Sequence, residues 1–410
     1  MDRRLLFLAL GMFALGTDSF VMAGVLPDIA RTFHVSIGAA GQMTTVYAVT
    51  YALLAPVIAA LAAHVPRKAL LLGSLAVFVA ANLATALAPT FGIALATRAL
   101  AGLGAAMFSP TATSSAASIV APERRGFALS VLVAGMTVST ALGAPIGTVI
   151  AGLGDWRWTM VFVAALAAAS GLGVAAFLSH IPMLAPVSLA RRVAPLADAR
   201  VGLTLATTFL FFCAAFTIYT YFTVVFDRVI EGNPNLLAAL LVAWGAAGTV
   251  SNLVTGRLVD RVGSRKVLIA LMAFVLVDFV LLPWTSASLW TAVPAILVWG
   301  GCGWAVMVPQ QHRLVTVAPA IAPLLLGLNN SAISLGTTAA GVVGAAGIQL
   351  LGGHGLGYIA AALVVAAMIA SALAARRIAS FAAANVPGAS APMRPVVPAP
   401  AVAAAEQAKA

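Results

Sequence analysis

The chain has 410 residues, of which 62% are hydrophobic and only 8% charged. A soluble domain carries about 25% charged residues, so this composition cannot build a water-facing surface, and the chain reads as an integral membrane protein. Its net charge of +11 calls for no nucleic-acid partner, because basic loops beside an anionic lipid leaflet account for it.

The opening Met1-Asp2-Arg3-Arg4 leads into an apolar run that is too long for a signal peptide and has no small-residue cleavage site before Pro27. It is therefore expected to be the first permanent span. Apolar stretches near the roughly 20 residues that a helix needs to cross a bilayer then recur along the chain. They predict spans at 5–26, 40–62, 69–88, 91–115, 125–150 and 157–179, then at 201–226, 236–257, 267–284, 289–309, 325–350 and 356–377. The fold class is thus all-α, with twelve transmembrane helices.

A long break at 180–200, with Pro182, Pro186, Pro195, Arg191, Arg192 and Arg200, divides the spans six plus six. The expected units are a bundle at 1–179, a cytoplasmic linker at 180–200, a bundle at 201–377 and a tail at 378–410. The tail is Ala- and Pro-rich and is expected to be disordered. Eighteen Lys and Arg fall on the side of the amino terminus, against Arg31, Arg157 and Arg228 opposite, which places both termini in the cytoplasm.

Cys213 and Cys302 lie inside spans and are expected as free thiols. The five His residues lack metal-ligand spacing, and no phosphate loop, paired-Cys motif or nucleophile elbow occurs. No enzyme activity, metal, cofactor or direct use of ATP is expected.

Gly256-Arg-Leu-Val-Asp260-Arg261-Val-Gly263-Ser-Arg265-Lys266 forms a charged island between apolar runs. It closely resembles the short cytoplasmic loop motif of major facilitator superfamily transporters. The first half carries a degraded copy from Ala59 to Lys68, with Ala63 for the Asp and Pro66 for the Gly, so its basic end reads as a positive-inside anchor. The fifth span has Gly135, Ser139, Gly143, Gly147 and Ala151 along one helix face, where backbones can approach closely. Packing alone explains that stripe. Pro145 within it resembles the Gly-x-Pro-x-Gly signature of proton-driven exporters, and Gly154-Asp155-Trp156-Arg157 follows as in bacterial efflux members.

The resemblance extends through Gly16 to Phe20, Gly24 to Ala30, Arg98 with Gly102 and Gly104, Tyr219-Thr-Tyr221, Pro309 to Gln311 with Arg313, and Asn329 to Ser331. It points to the twelve-helix drug:proton antiporter-1 type branch, with arabinose efflux-like, purine ribonucleoside efflux and chloramphenicol efflux permeases. The acid stands at Asp18, where many relatives have it at the position of Ser19. The resemblance implies two six-helix bundles that rock about a central site, with Gly256, Asp260, Arg261 and Gly263 helping to hold the cytoplasmic side closed. Gly135, Gly143, Pro145 and Gly147 would serve gating as a kinkable, close-packed helix.

Three formal charges fall well within the spans: Asp18, Arg98 and Asp278. Each is costly in hydrocarbon and should face protein or a wet cavity. Asp18 lies ~12 Å and Arg98 ~10 Å from the same membrane face at 1.5 Å per residue, so the two stand at similar depth. The resemblance implies that the first and fourth helices border the central cavity, and the two are therefore expected to meet there directly or through a water. A helix movement that changed burial or pairing would make Asp18 a proton switch, while a static ion pair that fixes the helices is the other reading. Asp278 is expected to be structural, either protonated or bonded to a neighbouring Ser, Thr or Asn.

The seventh span concentrates aromatic residues, and Phe212, Phe216 and Tyr219 share one face at helical spacing. With Trp299 of the tenth span and Asn329 and Asn330 of the eleventh, they are the candidate substrate cavity; core packing is the alternative for each. The expected activity is alternating-access export of a small organic molecule, drug-like or metabolite, in exchange for protons. It is placed in the bacterial inner membrane, as a monomer whose partners are substrate, protons and lipid. A transporter-like sensor or scaffold that no longer transports is the rival from another class.

Overall fold

The computed structural model describes residues 2–61, 65–121, 124–178, 181 and 194–384. Among these the regular structure is helical throughout. That outcome follows from lipid as solvent, because a helix satisfies its backbone groups within one segment. Eleven helices among the described residues are long and apolar enough to cross a membrane. The second span, the 25-residue helix Ile37–Leu61, stands beside them. Together they form the two six-helix bundles.

The first half comprises the first span Arg3–Phe33, the second, the third Arg67–Ala86, the fourth Phe91–Ser118 and the sixth Arg157–Phe177, with the fifth between them in two pieces, Arg125–Val138 and Ala144–Gly152. The second half comprises the seventh span Ala199–Thr220, the eighth Pro234–Val262, the ninth Ser264–Thr285, a tenth made of Leu289–Ala305 and Met307–Val317, the eleventh Ala322–Leu351 and the twelfth Leu356–Ala384.

Helix ends depart from the expected ones for local reasons. The first helix continues through Pro27 to Phe33, because a proline removes only one backbone bond, and it stops where His34 turns left-handed at φ 53°. Asp198 caps the seventh helix by accepting from the Arg200 amide. The Arg200 guanidinium also bonds the Asp198 carboxyl and holds it below the usual carboxylate range. The eighth helix runs on to Val262, so the charged island is mostly helix and its break is Gly263 at φ 91°. The twelfth helix extends to Ala384, past the expected start of the tail. Linker residues 182–193, the tail from 385, Ala63 and His64 lie outside the described residues.

The two pieces of the fifth span are joined by a π turn, Ser139–Gly143, just before Pro145. Proline lacks the amide that would continue the ladder, and one wide turn absorbs the mismatch. The small-residue stripe packs on the first helix. A side chain at Gly135 would strike the Ala9 carbonyl, one at Gly143 the Thr17 hydroxyl and one at Gly147 the Val21 side chain.

The hydrophobic core divides unevenly along the membrane axis. One large cluster draws on both halves and includes Leu26, Met43, Trp156, Tyr221, Leu241, Trp299 and Ala340. Leu5, Leu8, Leu71 and Phe108 belong to a separate cluster within the first half. Val201, Leu205, Leu314 and Leu325 belong to another within the second half. The halves are therefore joined toward the face opposite the amino terminus and keep their own cores toward the face that bears it.

Candidate functional site

Two groups of buried side chains meet on the first helix. On one side, Arg98 donates to Asp18 at 2.8 Å and to the Asn82 carbonyl oxygen at 3.5 Å. Asp18, Arg98 and Asn82 are fully buried. The Arg98 guanidinium lies 4.8 Å from the centre of the Tyr47 ring, within cation–π range. This node draws on the first four spans, and it is sealed within the first half. Asp18 Oδ2 and Arg98 Nε and Nη2 have no hydrogen-bond partner among the described residues. A buried pair so incompletely bonded is a poor stabiliser, because desolvation offsets much of its attraction.

On the other side, Phe20 sits two residues along, about 200° around the helix, and meets the second half. Its ring lies 5.6 Å from that of Tyr219 and 6.1 Å from that of Trp304, both edge-on. The Tyr219 ring lies 4.5 Å from that of Trp244, tilted by 38°, and Trp244 lies 5.4 Å from Trp299. Phe212, Phe216 and Trp304 extend the group. These rings close around a small cavity lined by Phe212, Ala215, Phe216, Trp244, Trp299, Gly303 and Trp304. A larger concavity lined by Ile150, Leu153, Trp158 and Phe162 is open and apolar, suited to lipid chains.

Phe212, Phe216, Tyr219 and Trp299 thus come together as their spacing suggests, while the two asparagines separate. Asn329 is buried and accepts from the Thr208 hydroxyl at 2.9 Å, whereas Asn330 is exposed. Gln310 completes the Asn329 node by donating to the Thr204 carbonyl and the Thr208 hydroxyl, each at 3.0 Å. Sequence reasoning missed Phe20 and Trp244 as members of the ring group, and Gln310 with Thr208 as a node. Trp244 is the one aromatic residue of its span, which is a readable signal. The Gln310 contacts need three-dimensional placement.

The halves are fastened by two hydrogen bonds among the described residues, Tyr219 to the Phe20 carbonyl at 2.9 Å and Gln42 to the Gly341 carbonyl at 3.4 Å. Glycine makes the approach close: a side chain at Gly41 would strike the Tyr221 hydroxyl, and one at Gly341 the Thr45 hydroxyl. The π turn backs Thr140 against Gly245 of the eighth span in the same way. At the opposite end, Asp260 and Arg261 are exposed and bond to nothing among the described residues, and Gly256 and Gly263 have open space where a side chain would stand. In the degraded copy, Arg67 bonds Ser114 and Lys68 bonds the Ala175 carbonyl at 2.8 Å, ties confined to the first half.

Asp278 is buried with one oxygen unpartnered, and the expected bond to a neighbouring Ser, Thr or Asn is not formed among the described residues. Cys213 and Cys302 are free thiols.

The Major Facilitator Superfamily profile matches residues 8–320. The chain belongs to the Major Facilitator Superfamily. The inner membrane transport protein YdhP of Escherichia coli K12 is 31% identical over 86% of this chain and 90% of its own length. The uncharacterized MFS-type transporter YbcL of Bacillus subtilis is 28% identical over 80% and 84%. A chloramphenicol resistance protein of Streptomyces lividans is 33% identical over 63% and 67%. Among solved structures, a bacterial homologue of the human lysosomal transporter Spinster, inward-facing and occupied, superposes with a TM-score of 0.73 at 17% identity, covering 92% of this chain and 97% of that one. This superfamily member is therefore a multi-pass membrane transporter of the fold that its helices describe.

Proposed function

We propose that this transporter exports a small organic molecule in exchange for protons by alternating access. The observation that carries the reading is the first helix, which holds the dry Asp18–Arg98 pair on one face and the cross-half Phe20–Tyr219 contact on the other. Burial disfavours an ionised carboxylate and a neighbouring guanidinium favours it, so protonation and helix movement are linked in such a pair. Less than one helical turn separates the pair from the contact that joins the halves.

The lysine and arginine bias supports cytoplasmic termini in a bacterial inner membrane, and the conformation described is then closed outward, with Asp260 and Arg261 released inward. A chloramphenicol resistance protein among the relatives, together with the Gly143-Ala144-Pro145-Ile146-Gly147 signature, supports the outward direction and a drug-like cargo. The unpaired Asn329 amide favours a second reading, metabolite efflux with bonds to polar groups of the cargo. We take the chain to act as a monomer.

The test is substrate-induced proton movement in everted vesicles from a pump-deficient host, comparing wild type with Asp18→Asn at equal expression. Export reading predicts proton release with substrate in wild type and none in the variant. No proton movement with any substrate that wild type transports would sink it.

A further inference from the structure

A buried cation without a counter-charge lies in the second half, apart from the site described above. Arg313, on the second piece of the tenth span, is 7% exposed and donates to the Ser371 hydroxyl at 3.2 Å and the Ser371 carbonyl at 3.3 Å on the twelfth helix. Both acceptors are neutral, and Arg313 forms no ion pair among the described residues. Its Nε makes no bond among them, yet it is not sealed as Arg98 Nε is, so one edge of the guanidinium stays open. A buried charge left uncompensated is costly, which marks this one for an anion from outside the chain.

Its surroundings add positive charge. The ninth helix packs on the same piece of the tenth, and Arg265 lies close enough for the two guanidinium groups to repel. That helix begins at Ser264 with no side-chain cap, so its free amides and the positive end of its dipole stand beside Arg265 and Lys266. Arg257, Arg261, Arg376 and Arg377 are also exposed at this face of the second half. Asp260 is the one unpaired acid there among the described residues, since Asp198 bonds Arg200.

The source of the anion follows from the flanking helices. Ile269, one turn along from Arg265, and Val277 are exposed apolar residues on the ninth helix, as are Ile369 and Leu373 on either side of Ser371 on the twelfth. In a membrane such faces meet acyl chains. An amphiphile with a phosphate head fits the charged end and the apolar flank together, whereas a free phosphate fits the first alone. We propose that one anionic phospholipid binds here, its phosphodiester held by Arg313 and Arg265 and its acyl chains along Ile269 and Leu373. Phosphatidylglycerol has the right head. Phosphatidylcholine has the same phosphate, but its trimethylammonium would meet guanidinium groups and the positive end of a helix.

Phosphatidylglycerol and phosphatidylcholine with matched acyl chains isolate the head group. Native mass spectrometry of the full chain in detergent, titrated with each lipid, should show one phosphatidylglycerol bound about tenfold more tightly, the order of one hydrogen bond to a charged group. Arg313→Gln and Arg265→Gln should each bring that ratio near one. Arg124→Gln, which removes an exposed base from the first half, should leave it unchanged. Arg265 is exposed, so Arg265→Gln carries the test should Arg313→Gln fail to fold.

Equal affinity for the two lipids in wild type overturns the proposal. So does a preference that survives either substitution in a folded protein, or one that Arg124→Gln weakens as much, which would be the diffuse attraction of a basic face. Displacement of phosphatidylglycerol by glycerol 3-phosphate would make this a site for a soluble phosphate and overturn the lipid. The measurement uses no substrate and no proton gradient, so its outcome is independent of the export reading.

Discussion

The hydroxyl of Tyr219 on the seventh helix donates at 2.9 Å to the backbone carbonyl of Phe20 on the first, two residues from the Asp18 that pairs with Arg98. One helix thereby touches the buried ion pair and the opposite half of the molecule at nearly the same depth. Removing that hydroxyl should loosen the closure between halves without disturbing either half. Tyr219→Phe deletes one buried bond worth about 1 kcal/mol, which is about a fivefold change in a two-state equilibrium. Spin labels at Ser36, just before the second helix, and Leu350 on the eleventh, both exposed, should report a growing population at longer separation. An unchanged distance distribution would remove Tyr219 from the closure.

The ion pair separates a static role from a coupling one by its response to double substitution. Removing one partner of a buried pair costs about 3–5 kcal/mol, because the other charge is left alone, whereas removing both charges is far milder. Asp18→Asn and Arg98→Gln should each lower the melting temperature of the purified protein, and the double variant should recover most of it. If the pair couples protons, all three lose export against a gradient, including the double variant. Gradient-driven export by a stable double variant would leave the pair a strut between helices.

The spans and the two-half arrangement were legible because lipid imposes one simple rule, long apolar runs with internally bonded backbones. Helix ends were less so. Pro27 reads as a stop and is crossed, and the charged island reads as a loop yet is helix as far as Val262. A proline near a helix end, or charges beyond the hydrocarbon, need not end a helix, since water satisfies what lipid cannot. The Asp18–Arg98 contact was readable from equal depth together with the helix placement that the family resemblance implies. Depth says nothing of angle. Spacing therefore gave Phe212, Phe216 and Tyr219 their common face but could not bring Phe20 and Trp244 to it, because those lie on other helices.

The glycines distinguish contacts made in this conformation from those that need another. Gly341 has no room for a methyl against Thr45, so Gly341→Ala should push the second and eleventh helices apart and favour the opposite state in the same spin-label measurement. Gly256 has nothing near it. Gly256→Ala should leave the melting temperature level or raise it slightly, since alanine is about 0.5–1 kcal/mol better than glycine within a helix. A stable Gly256→Ala with lost transport would place its close contact in the other conformation. A stable variant with full transport would dismiss Gly256 as a gating residue.

The adjacent asparagines of the eleventh helix should behave as opposites. Asn329 accepts from Thr208, whose hydroxyl also accepts from Gln310, so Asn329→Ala breaks a buried network. Its cost should be about 1–3 kcal/mol, read as a lower melting temperature with or without substrate. Asn330 is exposed on the neighbouring face, where its amide is free of any such network. Asn330→Ala should leave stability within about 0.5 kcal/mol, so any change in transport must come from a contact with cargo or with the other conformation. A raised KM at unchanged maximal rate would indicate a contact used in binding. An unchanged transport profile across a panel of substrates would leave Asn329 as a packing residue and Asn330 as a surface one.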